Sequence, residues 1–183
     1  MHLNLCVLLV ICGGVVAWDD VILSPPVGKT GPESVVYFAQ GADITTDQYT
    51  LILQELQNTV DFPLWVGIPQ CPANVAAIPG GLKKGIDRVT ATMTEDMGMK
   101  AELQFYAGHS LGGAMIPDYV NDEVAETATG MFLFGAFLTR KFKTGQTAEG
   151  RPQVEFPVPT LTVGGELDGL ARYVCRCRMP FIN

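Results

Sequence analysis

The stretch YAGHSLGGAM, Tyr106 to Met115, decides the fold that this sequence predicts. It begins within the predicted strand ELQFYAG, residues 102–108, and places Ser110 between Gly108 and Gly112. This is the G-x-S-x-G spacing of a sharp turn from a strand into a helix. Such a turn needs small residues at both ends, because it brings backbone segments together. Gly108, Gly112 and Gly113 meet that need. Ser110 is therefore a candidate nucleophile, the alternative being a bystander serine in a glycine-rich turn.

Strands and helices are predicted to alternate on both sides of this turn. Apolar, β-branched or aromatic runs predict five strands, at residues 34–39, 63–69, 102–108, 131–137 and 158–165. Helices are predicted from Tyr49 to Val60 and from Leu82 to Met97 by apolar spacing, and from Leu111 to Tyr119 despite Pro117. Residues 139–157 are polar and are predicted to form a loop or short excursion. The order indicates an α/β fold with a mostly parallel sheet and helices on both faces.

Length and composition favour one packed domain. The chain has 183 residues, of which 48% are hydrophobic and 17% charged, so it has enough apolar material for a core. Its formal net charge is -7. Nucleic acids and anionic membranes bind basic surfaces, so this charge argues against both as partners.

The first seventeen residues, MHLNLCVLLVICGGVVA, differ from the rest of the chain. They contain no acidic residue, a central apolar run, and small or modest side chains before Trp18, which is the layout of a secretory signal peptide. The alternative is a membrane anchor, but the apolar run is shorter than the ~20 residues that span a bilayer. We expect a signal peptide at 1–17, a lead-in at 18–33, a soluble product without a membrane span, and a secreted or lumenal location.

The cysteines left after signal removal are Cys71, Cys175 and Cys177. An odd number in a secreted protein predicts one disulfide and a free thiol, or an intermolecular link. Cys175 and Cys177 have no second ligand pair with which to form a structural zinc site, so no metal is expected.

Over residues 34–172, on both sides of the turn at Ser110, the sequence resembles the α/β-hydrolase superfamily, in particular its compact dienelactone-hydrolase- or chlorophyllase-like members. Three places carry the resemblance. YAGHSLGG matches the nucleophile elbow, and YFAQGAD stands where the family has its first oxyanion loop. PTLTVGGELDGLAR is similar to the strand and loop that present the acid of the triad, and it follows the serine as the order Ser, acid, His requires.

The resemblance implies a role for individual residues. Ser110 would be the nucleophile, and Asp168 would be the carboxylate that orients an imidazolium, with Glu166 as its nearby competitor. The backbone N–H of Leu111 would form half of the oxyanion hole. If Gln40-Gly41 matches the family's His-Gly, the N–H of Ala42 supplies the other half.

The base of this triad is the missing part. The chain has two histidines, of which His2 lies in the predicted signal peptide and His109 immediately precedes the nucleophile. On an elbow, His109 is expected to project away from the serine hydroxyl. Residues 173–183, YVCRCRMPFIN, depart from the family and are predicted to be a divergent tail, with the chain truncated or divergent after the acid. The family's last strand and helix would then be absent, leaving apolar sheet surface uncovered and an unprotected edge.

Two functional interpretations stay open. The first is a serine hydrolase of carboxylic esters or related acyl substrates, working through an acyl-Ser110 intermediate without a metal or organic cofactor and impaired in this form because no triad histidine is present. The second is a non-catalytic, secreted hydrolase-like protein or an inactive truncated isoform, which binds an acyl ligand or a partner.

Overall fold

A computed structural model describes residues 17–146, 152–154 and 156–165 of the chain. The predicted signal peptide, apart from Ala17, lies outside these residues, as do the predicted tail at 173–183 and its two cysteines. No helix within the described ranges is long and apolar enough to cross a membrane.

The five predicted strands all form, and three further strands accompany them. The described strands are β1 (Val21–Leu23), β2 (Ser34–Ala39), β3 (Leu64–Ile68), β4 (Leu103–His109), β5 (Ala128–Phe134), β6 (Lys143–Gln146), β7 (Pro152–Val154) and β8 (Thr160–Val163). Six of them form one sheet in the order β1-β3-β2-β4-β5-β8. All neighbours in it are parallel except β1, which runs antiparallel to β3. The mostly parallel sheet is confirmed.

Three strands lie where the sequence predicted none. β1 falls in the stretch predicted as a lead-in, and its three residues are too few to show a periodic pattern. β6 and β7 pair as a separate antiparallel ribbon inside the predicted excursion at 139–157.

Helices cover both faces of the sheet, as predicted. The α-helices are α1 (Thr50–Thr59), α2 (Gly81–Ala91) and α3 (Leu111–Tyr119); 3₁₀ turns occupy Thr46–Tyr49, Pro72–Asn74 and Arg140–Phe142, and π turns occupy Thr92–Asp96 and Val120–Val124. Side chains alternate along β2, so Val36 packs with Leu53 of α1, whereas Tyr37 packs with α2 and α3 on the other face. Because both faces are covered here, β2 is buried along its whole length.

The segment before β1 is tied to α2. Arg88 donates to both carboxylate oxygens of Asp20, and its guanidinium lies 4.3 Å from the centre of the Trp18 ring. The Asp20 carboxylate also accepts a hydrogen bond from the Gln70 N–H at 2.7 Å. These contacts dock the start of the predicted lead-in onto the domain.

One part of the sheet carries exposed apolar side chains on the α1 side. Leu161 and Val163 of β8 lie beside Phe132 and Phe134 of β5 in register, so all four side chains share one face. Leu161 is 56% exposed and Val163 is 43% exposed. Within the described ranges no helix covers this surface, which we name the open face, and β8 has only β5 as a neighbour in the sheet. The expectation that the family's last strand and helix are absent concerns residues outside the described ranges and stays a prediction.

Candidate functional site

Ser110 occupies a strained turn between β4 and α3. Its backbone torsions are φ 50° and ψ -117°, a region that residues other than glycine rarely adopt. Hydrogen bonds hold the turn from both sides, because the Ser110 N–H donates to Phe134 O at 2.9 Å and the Ala114 N–H donates to Ser110 O at 2.9 Å. The residue itself is exposed, so the turn presents its hydroxyl to solvent.

Close backbone packing explains the glycines around the serine. A Cβ on Gly108 would lie 2.6 Å from Gly112 C, and a Cβ on Gly113 would lie 2.6 Å from the Cβ of Ala136. A Cβ on Gly112 would overlap the carbonyl oxygens of Ala39 and Gln40. The strand, the turn, the helix and the need for small residues are therefore as the G-x-S-x-G spacing predicted.

The loop that follows β2 lies at the same sheet edge as Ser110, because Ala39 pairs with Gly108 at the ends of parallel strands. Gln40 fixes this loop from inside the protein, where its side chain is completely buried. Its amide nitrogen donates to Ile44 O at 2.8 Å and to Asn74 Oδ1 at 3.0 Å, and its Oε1 accepts from the Cys71 N–H at 3.3 Å. Gln40 thus uses its donors and its acceptor to clasp residues 40–44 onto the turn at 71–74.

The two backbone donors predicted for an oxyanion hole face this edge from different elements. The N–H of Leu111 begins α3, where an amide has no intrahelical acceptor. The N–H of Ala42 likewise has no hydrogen-bond partner among the residues that the structure describes. The Gly41 N–H, in contrast, donates to Tyr49 Oη at 2.9 Å. The Gly41 N–H is therefore occupied, whereas those of Leu111 and Ala42 have no acceptor within the part of the chain that the structure describes.

His109 is engaged on the α1 side of the sheet. Its Nδ1 lies 3.0 Å from Tyr49 Oη, and the two ring centres are 5.9 Å apart. No hydrogen bond joins His109 to Ser110 in the described part of the chain. The arrangement agrees with the expectation that this histidine projects away from the serine.

The acid predicted for the triad cannot be placed in the same way. β8 ends at the serine's edge, because Val163 pairs with Phe134 and its carbonyl accepts the Gly135 N–H at 2.9 Å. Asp168 and Glu166 follow β8 but lie outside the described residues, so the choice between them stays a prediction. Among residues 17–146, 152–154 and 156–165, no cluster of three His, Cys, Asp or Glu side chains could hold a metal ion.

Solved structures share this arrangement of strands and helices. A poly(3-hydroxybutyrate) depolymerase, LpqC, from Bordetella parapertussis superimposes with a TM-score of 0.53 and 15% identity, covering 81% of this chain and 60% of its own. Est1E from Butyrivibrio proteoclasticus gives a TM-score of 0.52 and 11% identity, covering 84% and 75%. The chain has the α/β-hydrolase fold. It spans only 41% to 47% of the length of three other matching esterase and hydrolase structures, and it matches no protein-family model and no curated protein.

Burial keeps the groups beneath the α/β-hydrolase elbow neutral. It raises the pKa of Tyr49, against the smaller effect of the Gly41 hydrogen bond. It also raises the pKa of the Cys71 thiol to about 11, with the nearby Arg88 charge opposing the shift. Cys71 is a free cysteine within the described residues. Neither group is charged near neutral pH.

Sequence reasoning missed Tyr49 and Asn74 as parts of this site. Tyr49 fits the apolar stripe of a helix, and its hydroxyl meets Gly41, eight positions away, and His109 at the end of β4, 60 positions away. Asn74 has φ 55° and follows Ala73 at φ 51°. Asparagine is one of the few residues that enter this left-handed region readily, so the pair Ala73-Asn74 was the available signal for a tight turn.

Proposed function

We propose that the chain is a serine-hydrolase-like protein whose chemistry is the hydrolysis of carboxylic esters or related small acyl substrates. The observation that carries the proposal is the strained turn at Ser110, with an exposed serine and two backbone N–H groups at the same sheet edge that have no partner among the described residues. Any helix start leaves its first N–H groups without an intrahelical acceptor, but an ordinary strand-to-helix turn needs no serine with strained torsions. The esterase neighbours support this substrate class as an analogy of fold.

In the proposed reaction, Ser110 Oγ attacks the acyl carbon, the ester C–O bond breaks, and the alcohol leaves with the proton that the serine hydroxyl gives up. Water then hydrolyses the acyl-serine intermediate, which releases the carboxylic acid and restores the hydroxyl of Ser110. The N–H groups of Leu111 and Ala42 stabilise the negative oxygen of each tetrahedral intermediate. Each such donor lowers the activation free energy by ~3 kcal/mol. Asp168 is proposed to orient and stabilise an imidazolium beside the serine. The mechanism uses neither a metal nor an organic cofactor, and it involves no nucleic acid.

We further propose that the chain of 183 residues is impaired as a catalyst. Of its two histidines, His2 belongs to the proposed signal peptide and His109 is engaged by Tyr49. Without a base, the expected acceleration over water is ~10³–10⁴-fold, from the oxyanion hole and binding alone. A secreted or lumenal location and a relation to dienelactone hydrolases or chlorophyllases stay proposals as well.

The second candidate function is a non-catalytic hydrolase-like binding protein. It is favoured by the engaged state of His109 together with the apolar open face around Leu161 and Val163. In this case the elbow holds an acyl ligand without turning it over.

A labelling experiment separates these functions. The purified chain, Ser110→Ala and Ser24→Ala, which removes another exposed serine, are treated with a fluorophosphonate probe and a short-chain aryl ester, with and without added imidazole. We expect slow labelling that imidazole accelerates, that Ser110→Ala abolishes and that Ser24→Ala leaves unchanged. Fast labelling without imidazole would contradict the proposed impairment. Labelling that survives Ser110→Ala, or none under any condition, would exclude Ser110 as the nucleophile.

A further inference from the structure

The hydroxyl of Tyr49 joins the two halves of the candidate site. It accepts the Gly41 N–H at 2.9 Å and lies 3.0 Å from Nδ1 of His109, the residue before Ser110. Because the oxygen already accepts from Gly41, its own proton is free to bond His109. The ring is buried and packs against Phe38, with centres 4.7 Å apart. The hydroxyl is thus a fixed bridge between the loop after β2 and the elbow.

The bridge fixes the first of the two successive peptide planes that meet at Gly41. Tyr49 fixes the peptide plane that carries the Gly41 N–H, and the next plane is fixed because Gly41 O accepts from the Ile44 N–H at 3.4 Å. The C=O and N–H of a trans peptide point in opposite directions. The Ala42 N–H therefore points away from Ile44. Gly41 itself is closely packed, since a Cβ there would lie 2.9 Å from His109 Nδ1.

We propose that Tyr49 is a positioning residue for the oxyanion hole, which holds Gly41 out of the site and aims the Ala42 N–H at the oxygen that Ser110 creates. The inference rests on the proposed function, because only a reacting serine needs that donor. It assigns a role to a side chain that belongs to no part of the triad and does not touch the substrate.

Tyr49→Phe tests the role, because it removes the hydroxyl and keeps the ring. Tyr37→Phe is the matched control: Tyr37 is equally buried and its hydroxyl accepts from Thr90 at 3.0 Å on the opposite face of the sheet. The rate of Ser110 labelling with imidazole present, and kcat and KM for an aryl ester, are measured for both variants. Amide hydrogen exchange at Gly41 and Ala42 is followed by NMR.

We expect Tyr49→Phe to slow labelling and lower kcat by about tenfold to a hundredfold with KM unchanged, since misplacing a group by about 1 Å can cost that much. Tyr37→Phe should change both by less than about twofold. Equal rates in Tyr49→Phe and wild type would overturn the proposal, as would an equal loss in the two variants. If wild type is not labelled at all, the proposed function fails, and amide hydrogen exchange tests the positioning role by itself. Faster exchange at Gly41 in Tyr49→Phe but not in Tyr37→Phe would support the positioning of the loop. Unchanged exchange at Gly41 would refute it.

Discussion

Gly112→Ala gives the sharpest test of how the elbow is packed, because two effects predict opposite signs. Gly112 lies in α3, where alanine is preferred over glycine by about 1 kcal/mol. However, the new Cβ would lie 2.6 Å from the carbonyl carbon of Ala39. Ordinary contact is about 3.5 Å, so backbone must retreat by about 0.9 Å. Overpacking of this kind costs about 1–3 kcal/mol, and we take the upper end because a backbone cannot rotate away. The net expectation is a loss of about 2 kcal/mol.

Urea unfolding measures this sign directly. With a slope near 2 kcal/mol per molar urea for a domain of this size, the midpoint of Gly112→Ala should fall by about 1 M. Asn58→Ala, at an exposed position of α1, is the control in which the gain from helix propensity is unopposed, and its midpoint should rise slightly. A midpoint for Gly112→Ala at or above that of wild type would refute the close contact between the elbow and the end of β2.

Three further outcomes are expected. In thermal melts, the free energy of unfolding of Ser110→Gly should exceed that of Ser110→Ala by about 1 kcal/mol, because glycine adopts the strained torsions without penalty. Equal free energies of unfolding would contradict the strain. Asp20→Ala should lose about 2 kcal/mol in urea unfolding with its charged hydrogen bonds to Arg88, whereas the exposed Asp87→Ala should lose under about 0.5 kcal/mol. Burial raises the pKa of Cys71 to about 11, so the stability that its neutral thiol confers is complete below about pH 8.5. The free energy of unfolding should then fall as the pH rises toward 11. In Cys71→Ala this contribution to the fall should be absent.

Local patterns carried the fold prediction wherever an element was long enough to repeat. β2 and β4 follow buried, aromatic and β-branched runs, and the turn between β4 and α3 needs only the glycine spacing around Ser110. β1 was invisible because its three residues gain their stability from pairing with β3, and a non-local partner leaves no local pattern.

The site was predictable only in its backbone. The turn that carries Ser110 and begins α3 at Leu111 follows from the G-x-S-x-G motif, because that spacing is local. The roles of Ser110, Leu111 and Ala42 stay predictions. The contact of Tyr49 with His109 does not follow from such a motif, since it joins residues 60 positions apart. Likewise, nothing local indicates that the amide of Gln40 meets Asn74, 34 positions away. Side-chain networks between loops depend on the closed fold, and sequence spacing does not encode them.

The strain at Ser110 and the clasp at Gln40 support each other. The torsions of Ser110 cost of order 1–3 kcal/mol and persist only where the surroundings fix them. Here they are fixed by Phe134 O on one side and, through Gly112, by the ends of Ala39 and Gln40 on the other. The same Gln40 orders the loop that carries the Ala42 N–H. The nucleophile turn and the proposed oxyanion loop are therefore one packed unit, so a substitution that loosens either half should lower the reactivity of the serine through the other.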